Sequence, residues 1–280
     1  MEKRTRPPLK WAGGKFRLLD RILPALSELS TAAHGGGKRL VEPFVGSGAV
    51  FLNADYPAFL LCDLNEDLVN FYQVLVKDGE AFVKKAHKLF TPANNTAEAF
   101  YELRAKFNAM KLTPNRAALF LYLNRHAYNG LVRYNRQGEF NVPFGKYAAP
   151  YFPLAELAAV LDKSRRARLE FAVRDFRDTF AALEPGDVVY CDPPYVPLSA
   201  TANFTAYTSG GFGPEEQKEL AHCAERAARL GNPVALSNHA TEFSREIYAR
   251  AETDCFDVRR FISCDGANRA KALELLAVYK

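Results

Sequence analysis

Val41-Glu42-Pro43-Phe44-Val45-Gly46-Ser47-Gly48 is the stretch on which the fold turns. It ends the apolar run Lys38–Val45, which reads as a short buried strand, and it closes on two glycines separated by one residue. Glycine at such a strand end lets the backbone turn sharply and lets a ligand approach it closely. The pair alone is a weak signal, because many strand-to-helix turns need glycine simply to turn. A helix-like stretch is expected from Ala49. A dinucleotide fingerprint would carry its third glycine at position 51, where Phe51 stands, so the turn points to a ligand without a pyrophosphate.

Working outward, a second apolar run, Phe59–Cys62, ends at Asp63. Helical patterns follow over Glu66–Phe90, Ala97–Met110 and Pro114–Arg125, and Ala127–Pro150 reads as loops or a small hairpin. Strand signals return at Leu169–Val173, Val188–Cys191 and Val234–Ser237, with a helix over Glu215–Leu230. Cys255–Ile262 and Leu273–Tyr279 read as a closing antiparallel pair. Strands and helices on both sides of a helical middle predict an α/β fold, an open sheet interrupted by an insertion. The expected division is a core of residues 1–66 and 151–280, with residues 67–150 inserted. Ligands of such sheets sit at the carboxyl ends of the strands.

The 280 residues suit one large domain with a smaller insertion, and 48% hydrophobic with 25% charged residues is ordinary globular composition. No run is apolar enough for a membrane span, and the basic start Met1–Lys15 lacks the apolar core of a secretion signal. The five cysteines lie far apart without a C-x-x-C, which fits reduced thiols in a cytoplasmic protein. The net charge of +5 is unevenly spread: residues 1–17 and residues 98–150 each carry +5, and the remainder carries −5. Such segregation suggests a polyanionic partner for the two basic segments, although a basic helix face often binds nothing.

The most specific signal is Asp192-Pro193-Pro194-Tyr195, directly after the strand Val188–Cys191. Each proline fixes its own φ and pushes the residue before it into extended backbone, so the pair stiffens Asp192 and Pro193. A carboxylate and a carbonyl so held can accept both hydrogens of an exocyclic purine amine. They would aim its nitrogen at an electrophilic methyl and stabilise the positive charge that develops on it. Tyr195 offers a face for stacking a base. A proline-rich turn is the alternative, and four such residues in this order outweigh it. Asp63, 17 residues after Gly46, can accept from ribose hydroxyls or cap the helix that follows. In Lys10-Trp11-Ala12-Gly13-Gly14-Lys15, small residues would let backbone N–H groups and Lys15 reach a ligand carboxylate. Trp11, the sole tryptophan, would serve equally as a core anchor.

These blocks together resemble the Dam-type DNA adenine-N6 methyltransferases of the α motif order. The likeness runs from Lys10–Lys15 to Leu275–Tyr279 and is strongest over Val41–Phe51, Leu121–Tyr147, Asp192–Tyr195 and Pro197–Tyr207. It implies a Rossmann-like S-adenosylmethionine-dependent methyltransferase sheet with an inserted, mainly helical target-recognition domain. The donor would be S-adenosylmethionine, leaving S-adenosylhomocysteine, with no metal. The cofactor residues so implied are Trp11, Ala12, Gly13, Lys15, Phe44, Gly46, Ser47, Asp63, Phe176 and Asp192.

The resemblance also implies double-stranded DNA as partner, read at GATC, with no obligate protein partner. Tyr128-Asn129-Gly130-Leu131-Val132-Arg133-Tyr134-Asn135 puts a wedge, amides and an arginine on one loop. Arg133 can pair bidentately with a guanine edge. By resemblance, Lys10 and Tyr147 lie near the other guanine, and Leu131 and Pro143 against the bases between, where loop packing is the plainer reading. Tyr128 would fill the gap left by an extruded adenine. Asn129, Asn135 and Arg104 would touch phosphates, which position without reading sequence. Lys146 stands where arginine is expected, and lysine gives up bidentate geometry. Asn203-Phe204-Thr205 and Tyr207 would order over the flipped nucleotide, and His239 would be structural or line the pocket. Two other readings stay open: a methyltransferase acting on amines in RNA, and an inactive DNA-binding regulator. The matching loop block and the intact tetrapeptide weigh against them.

Overall fold

A computed structural model describes residues 4–33, 35–196, 212–258 and 272–280. The chain folds as two compact units, one of Met1–Asp20 with Val45–Val173, the other of Arg21–Phe44 with Arg174–Lys280. The strands are β1 (Arg39–Glu42), β2 (Ala58–Asp63), β3 (Arg168–Val173), β4 (Asp187–Cys191), β5 (Val234–His239), β6 (Glu252–Val258) and β7 (Ala272–Tyr279). They form a seven-stranded sheet in the order β3-β2-β1-β4-β5-β7-β6, a Rossmann-like α/β arrangement. β2 pairs parallel with β3, β1 with β4, and β4 with β5, while β7 runs antiparallel to both β5 and β6.

In the second unit, β1 and β4 are adjacent parallel strands at the point where the strand order reverses. Their carboxyl ends run into Pro43-Phe44 and into Asp192, the crevice position at which open α/β sheets bind ligands. At their opposite ends Arg39 grips Asp187 in a fork, Nε to Oδ1 at 2.9 Å and Nη2 to Oδ2 at 2.7 Å. β4 is buried throughout, its apolar run Val188–Cys191 suiting a central parallel strand and its first residue Asp187 paired with Arg39. α7 (Phe176–Ala181), α8 (Pro214–Arg229) and α9 (Glu242–Ile247) belong to the same unit, and α8 packs on α7, α9, β5 and β7. Asp175 caps α7, and Thr241 caps α9.

The first unit holds α2 (Glu66–Asp78), α3 (Glu80–His87), α4 (Ala97–Asn108), α5 (Pro114–His126) and α6 (Leu154–Arg166) beside β2 and β3; α1 (Leu19–Ala32) starts at its edge. α5 is packed against α2, α3 and α4, and from Ala117 to His126 every residue is buried. A helix buried all round shows no polar stripe. Thr96 and Thr113 cap α4 and α5.

Two expectations need correction. The stretch from Ala49 is a buried turn, not a helix: the Asn53 side chain donates to the carbonyls of Ala49 and Thr5, which displaces regular laddering. The single helical pattern over Glu66–Phe90 is two helices, α2 and α3, broken at Gly79, whose φ of +58° ends α2.

Candidate active site

In the first unit the amino-terminal loop meets the glycine turn. Gly46 has φ +48°, and a Cβ there would lie 3.1 Å from Cδ1 and Nε1 of Trp11, so the indole sits directly on this glycine. Gly13, at φ +77°, turns the loop, the Gly14 amide donates to the Trp11 carbonyl, and a Cβ on Gly14 would come 3.5 Å from the Ser47 hydroxyl. Ala12 is exposed, whereas Lys15 is buried and its Nζ donates to the Gly13 carbonyl.

Asp63 ends β2. Its Oδ2 accepts from the Gly46 amide at 3.1 Å and its Oδ1 from Asn65 at 2.9 Å. Burial pushes its carboxyl above the ordinary range, and the amides of Asn65, Gly46 and Leu64 pull it back. The cap of α2 is Asn65, whose Oδ1 accepts from Leu68, so the capping role weighed for Asp63 is filled by its neighbour. Three amides on two oxygens leave the Asp63 carboxylate acceptor capacity for about one ligand hydroxyl.

The loop Tyr128–Asn135 is built on α5. Buried Asn124 uses Oδ1 to accept from the Lys10 amide at 2.9 Å, and Nδ2 to donate to the carbonyls of Lys10 at 2.7 Å and Gly130 at 3.3 Å. Gly130, at φ +64°, has no room for a Cβ, which would fall 2.6 Å from that of Lys10. The Lys10 ammonium lies over the Tyr147 ring, 4.3 Å from its centroid. Burial, then the charge of Arg125, lower the Lys10 pKa.

Tyr128, Asn129, Leu131, Arg133 and Pro143 are exposed, and the Tyr128 amide donates to the Pro143 carbonyl, which places those two side by side. Arg133 Nε donates to Asn141 Oδ1 at 2.8 Å. Asn135 spends its side chain on the turn, accepting from Gln137 and Glu139 amides and donating to the Glu139 carboxylate. Arg104 donates to the Val142 carbonyl at 3.0 Å and lies over Tyr101. Among the basic residues of 98–150, Arg116 and Arg125 face inward. Arg116 forks onto buried Asp67 at 2.5 and 3.0 Å, and Arg125 donates to the Pro8 carbonyl. Tyr134 donates to the same Asp67 at 2.7 Å.

In the second unit Phe44 and Phe176 stack with centroids 5.9 Å apart, and Phe212 meets both edge-on at 5.5 and 5.6 Å. After β4, Pro193 is buried and Pro194 exposed. The Pro194 carbonyl accepts from Gln217 at 2.6 Å, whereas that of Pro193 takes no hydrogen bond among the described residues. The Tyr195 ring meets His239 edge-on at 4.7 Å, and its hydroxyl donates to Glu274 at 3.2 Å. Burial, reinforced by the charge of Asp192, holds the Tyr195 hydroxyl well above its usual range. Buried neutral aromatic and rigid acceptor together suit a flat substrate carrying an amine.

A family model for the D12 class N6 adenine-specific DNA methyltransferases matches residues 11–260. The chain belongs to this family. DNA adenine methylases of Serratia marcescens and Escherichia coli K12 are 49% and 48% identical to this methyltransferase, each over 99% of its length and over 100% and 96% of their own. That of Vibrio cholerae is 44% identical over 99% of this chain and 97% of its own. A solved methyltransferase domain, delta-N METTL16, matches at TM-score 0.39 and 10% identity over 94% of this chain and 83% of its own, too loosely to bear on the fold. Family membership implies S-adenosylmethionine as methyl donor and DNA as substrate.

Among the described residues of the methyltransferase, no helix is long and apolar enough to cross a membrane, and no group of side chains is arranged to hold a metal. Asn203, Phe204, Thr205 and Tyr207 lie outside the described residues, as does Cys264. Sequence reading missed Asn124, Asn141, Phe212 and Gln217. Only Asn124 left a trace, as a polar residue directly after the apolar run Ala117–Leu123.

Proposed function

We propose that this methyltransferase acts on adenine N6 within GATC in double-stranded DNA, on a base rotated out of the stack. The observation that carries the reading is the stiff turn after β4. There the Pro193 carbonyl and the Asp192 carboxylate follow a buried strand, and Tyr195 stands locked beside them. An adenine amine has two N–H donors, so a carbonyl and a carboxylate satisfy both and orient the nitrogen lone pair. As that nitrogen becomes cationic, the same two acceptors stabilise it, and Asp192 receives the proton that is lost. Stacking on Tyr195 replaces part of the stacking the base gives up when it leaves the duplex.

The residues fit S-adenosylmethionine, whose sulfonium supplies an activated methyl. Gly46 gives backbone beneath the Trp11 indole with no side chain in the way. Asp63 keeps acceptor capacity for a ribose hydroxyl. Phe44 and Phe176 form an apolar wall for adenine, and Lys15 with the amides of Ala12 and Gly13 suits a carboxylate. Arg133 and Lys10 with Tyr147 would read the two guanines, Leu131 and Pro143 would pack on the bases between, and Tyr128 would fill the vacated space. Asn135 Nδ2 donates one hydrogen to the Glu139 carboxylate and would offer its second to a phosphate. Arg104 keeps guanidinium N–H groups besides the one on Val142, and Asn129 is exposed in the reading loop.

The test is incorporation of labelled methyl into matched duplexes with GATC or a permuted tetranucleotide, and into total RNA. Label should enter the GATC duplex alone, as N6-methyladenine. Equal label in the permuted duplex would overturn the site assignment, and preference for RNA would overturn the substrate.

A further inference from the structure

The ladder between β4 and β5 stops at Cys191 opposite Leu236, because the two prolines that follow have no N–H to continue it. Beyond that point side-chain amides take over. Asn238, at the end of β5, accepts the Val196 N–H at 3.0 Å and its neighbour's, His239, at 2.8 Å. Its Nδ2 donates to Gln217 Oε1 and to the Tyr248 hydroxyl, both at 3.0 Å. Gln217, in the first turn of α8, donates to the Pro194 carbonyl at 2.6 Å. His239 Nδ1 lies 2.7 Å from the Val196 carbonyl. Gln217 is 3% exposed, and Asn238 and Tyr248 are fully buried.

Tyr195 is thus held on both sides through main-chain groups, by Gln217 at the residue before it and by Asn238 at the residue after it. We propose that Gln217 and Asn238 are positioning residues for methyl transfer, replacing the interrupted sheet ladder and fixing the Pro193 carbonyl and the Tyr195 ring. This rests on the role given above to the tetrapeptide. A buried network with every member paired specifies one geometry, and one unpaired amide inside it is costly. Neither side chain touches the substrate; each acts on the turn that does.

The experiment is single-turnover transfer to a GATC duplex by Gln217→Met, which keeps the length of the side chain and gives up its hydrogen bonds. The rate constant should fall about 10- to 100-fold, as expected when reacting groups are displaced by a fraction of an ångström to an ångström. KM for DNA and for the methyl donor should stay at wild-type values. A folded Gln217→Met enzyme with the wild-type rate constant would overturn the proposal, as would a loss confined to KM. If Gln217→Met does not fold, Tyr248→Phe decides. It removes only the hydroxyl at the far end of the network, so a slower rate constant at unchanged KM supports the proposal and an unchanged rate constant refutes it. An inactive wild-type enzyme in the same assay would instead sink the proposed function.

Discussion

Arg133 lies on the surface with its Nε donating to Asn141 Oδ1 at 2.8 Å and its Nη2 to the Asn141 carbonyl at 3.5 Å, so the guanidinium is fixed by one residue. A fork held in that way loses little freedom on pairing with a guanine edge. Arg133→Ala should therefore relax discrimination at one guanine by about 1–3 kcal/mol while lowering overall binding less. Equal losses on the cognate duplex and on one altered at that base pair, measured by titration, would refute the role. Arg133 could be singled out from sequence because the chemistry of arginine belongs to the residue itself. Asn141 could not, because its part depends on a loop folding back. The same holds for Asn124, whose partner Lys10 stands 114 residues away. Asp63 was half legible: its position at a strand end fixed the acceptor, but Asn65 filled the cap for which Asp63 was equally suited.

Helix α5 shows what a pattern can and cannot reveal about an element. Its start was read at Pro114, and the structure adds Thr113 as the cap before it. Its end is polar yet buried, and His126 there sits with Nδ1 2.8 Å from the Tyr122 carbonyl and its ring stacked on Tyr122. Burial brings the His126 pKa down to about 4, and the charge of Lys10 also lowers it, against an ordinary value of 6.5. The unfolded chain thus binds the proton more readily. The stability that neutral His126 contributes is complete above pH 6.5 and is lost as pH falls from there toward 4. The melting temperature should drop by several degrees between pH 7 and pH 5, and less steeply in His126→Gln. A parallel slope in the variant would show that other groups govern acid sensitivity. Strands β2 to β5 were legible to within a residue or two because parallel strands are apolar runs, whereas β1 ends at Glu42, short of the expected Val45, and β6 begins at Glu252, ahead of the expected Cys255. The stretch from Ala49 misled because a buried turn has the same apolar content as a helix, and only the side chain of Asn53 separates them.

For the molecule as a whole, the order of motifs carried the reading: glycine turn after β1, carboxylate after β2, the loop Tyr128–Asn135 after α5, proline turn after β4. Net charge by segment was a coarser guide. Two of the eight basic residues in 98–150 are internal, Arg116 holding Asp67 and Arg125 holding Pro8, so the count overstated what faces a polyanion. Charge enumerates residues and says nothing of burial. The central claim is that a carboxylate and a carbonyl held rigid after β4 grip the adenine amine. It is tested most directly by Asp192→Ala, assayed for duplex binding and for single-turnover transfer on the same GATC substrate. Binding should stay at the wild-type level while the transfer rate constant falls at least about 100-fold. Transfer at the wild-type rate by that variant would contradict the claim.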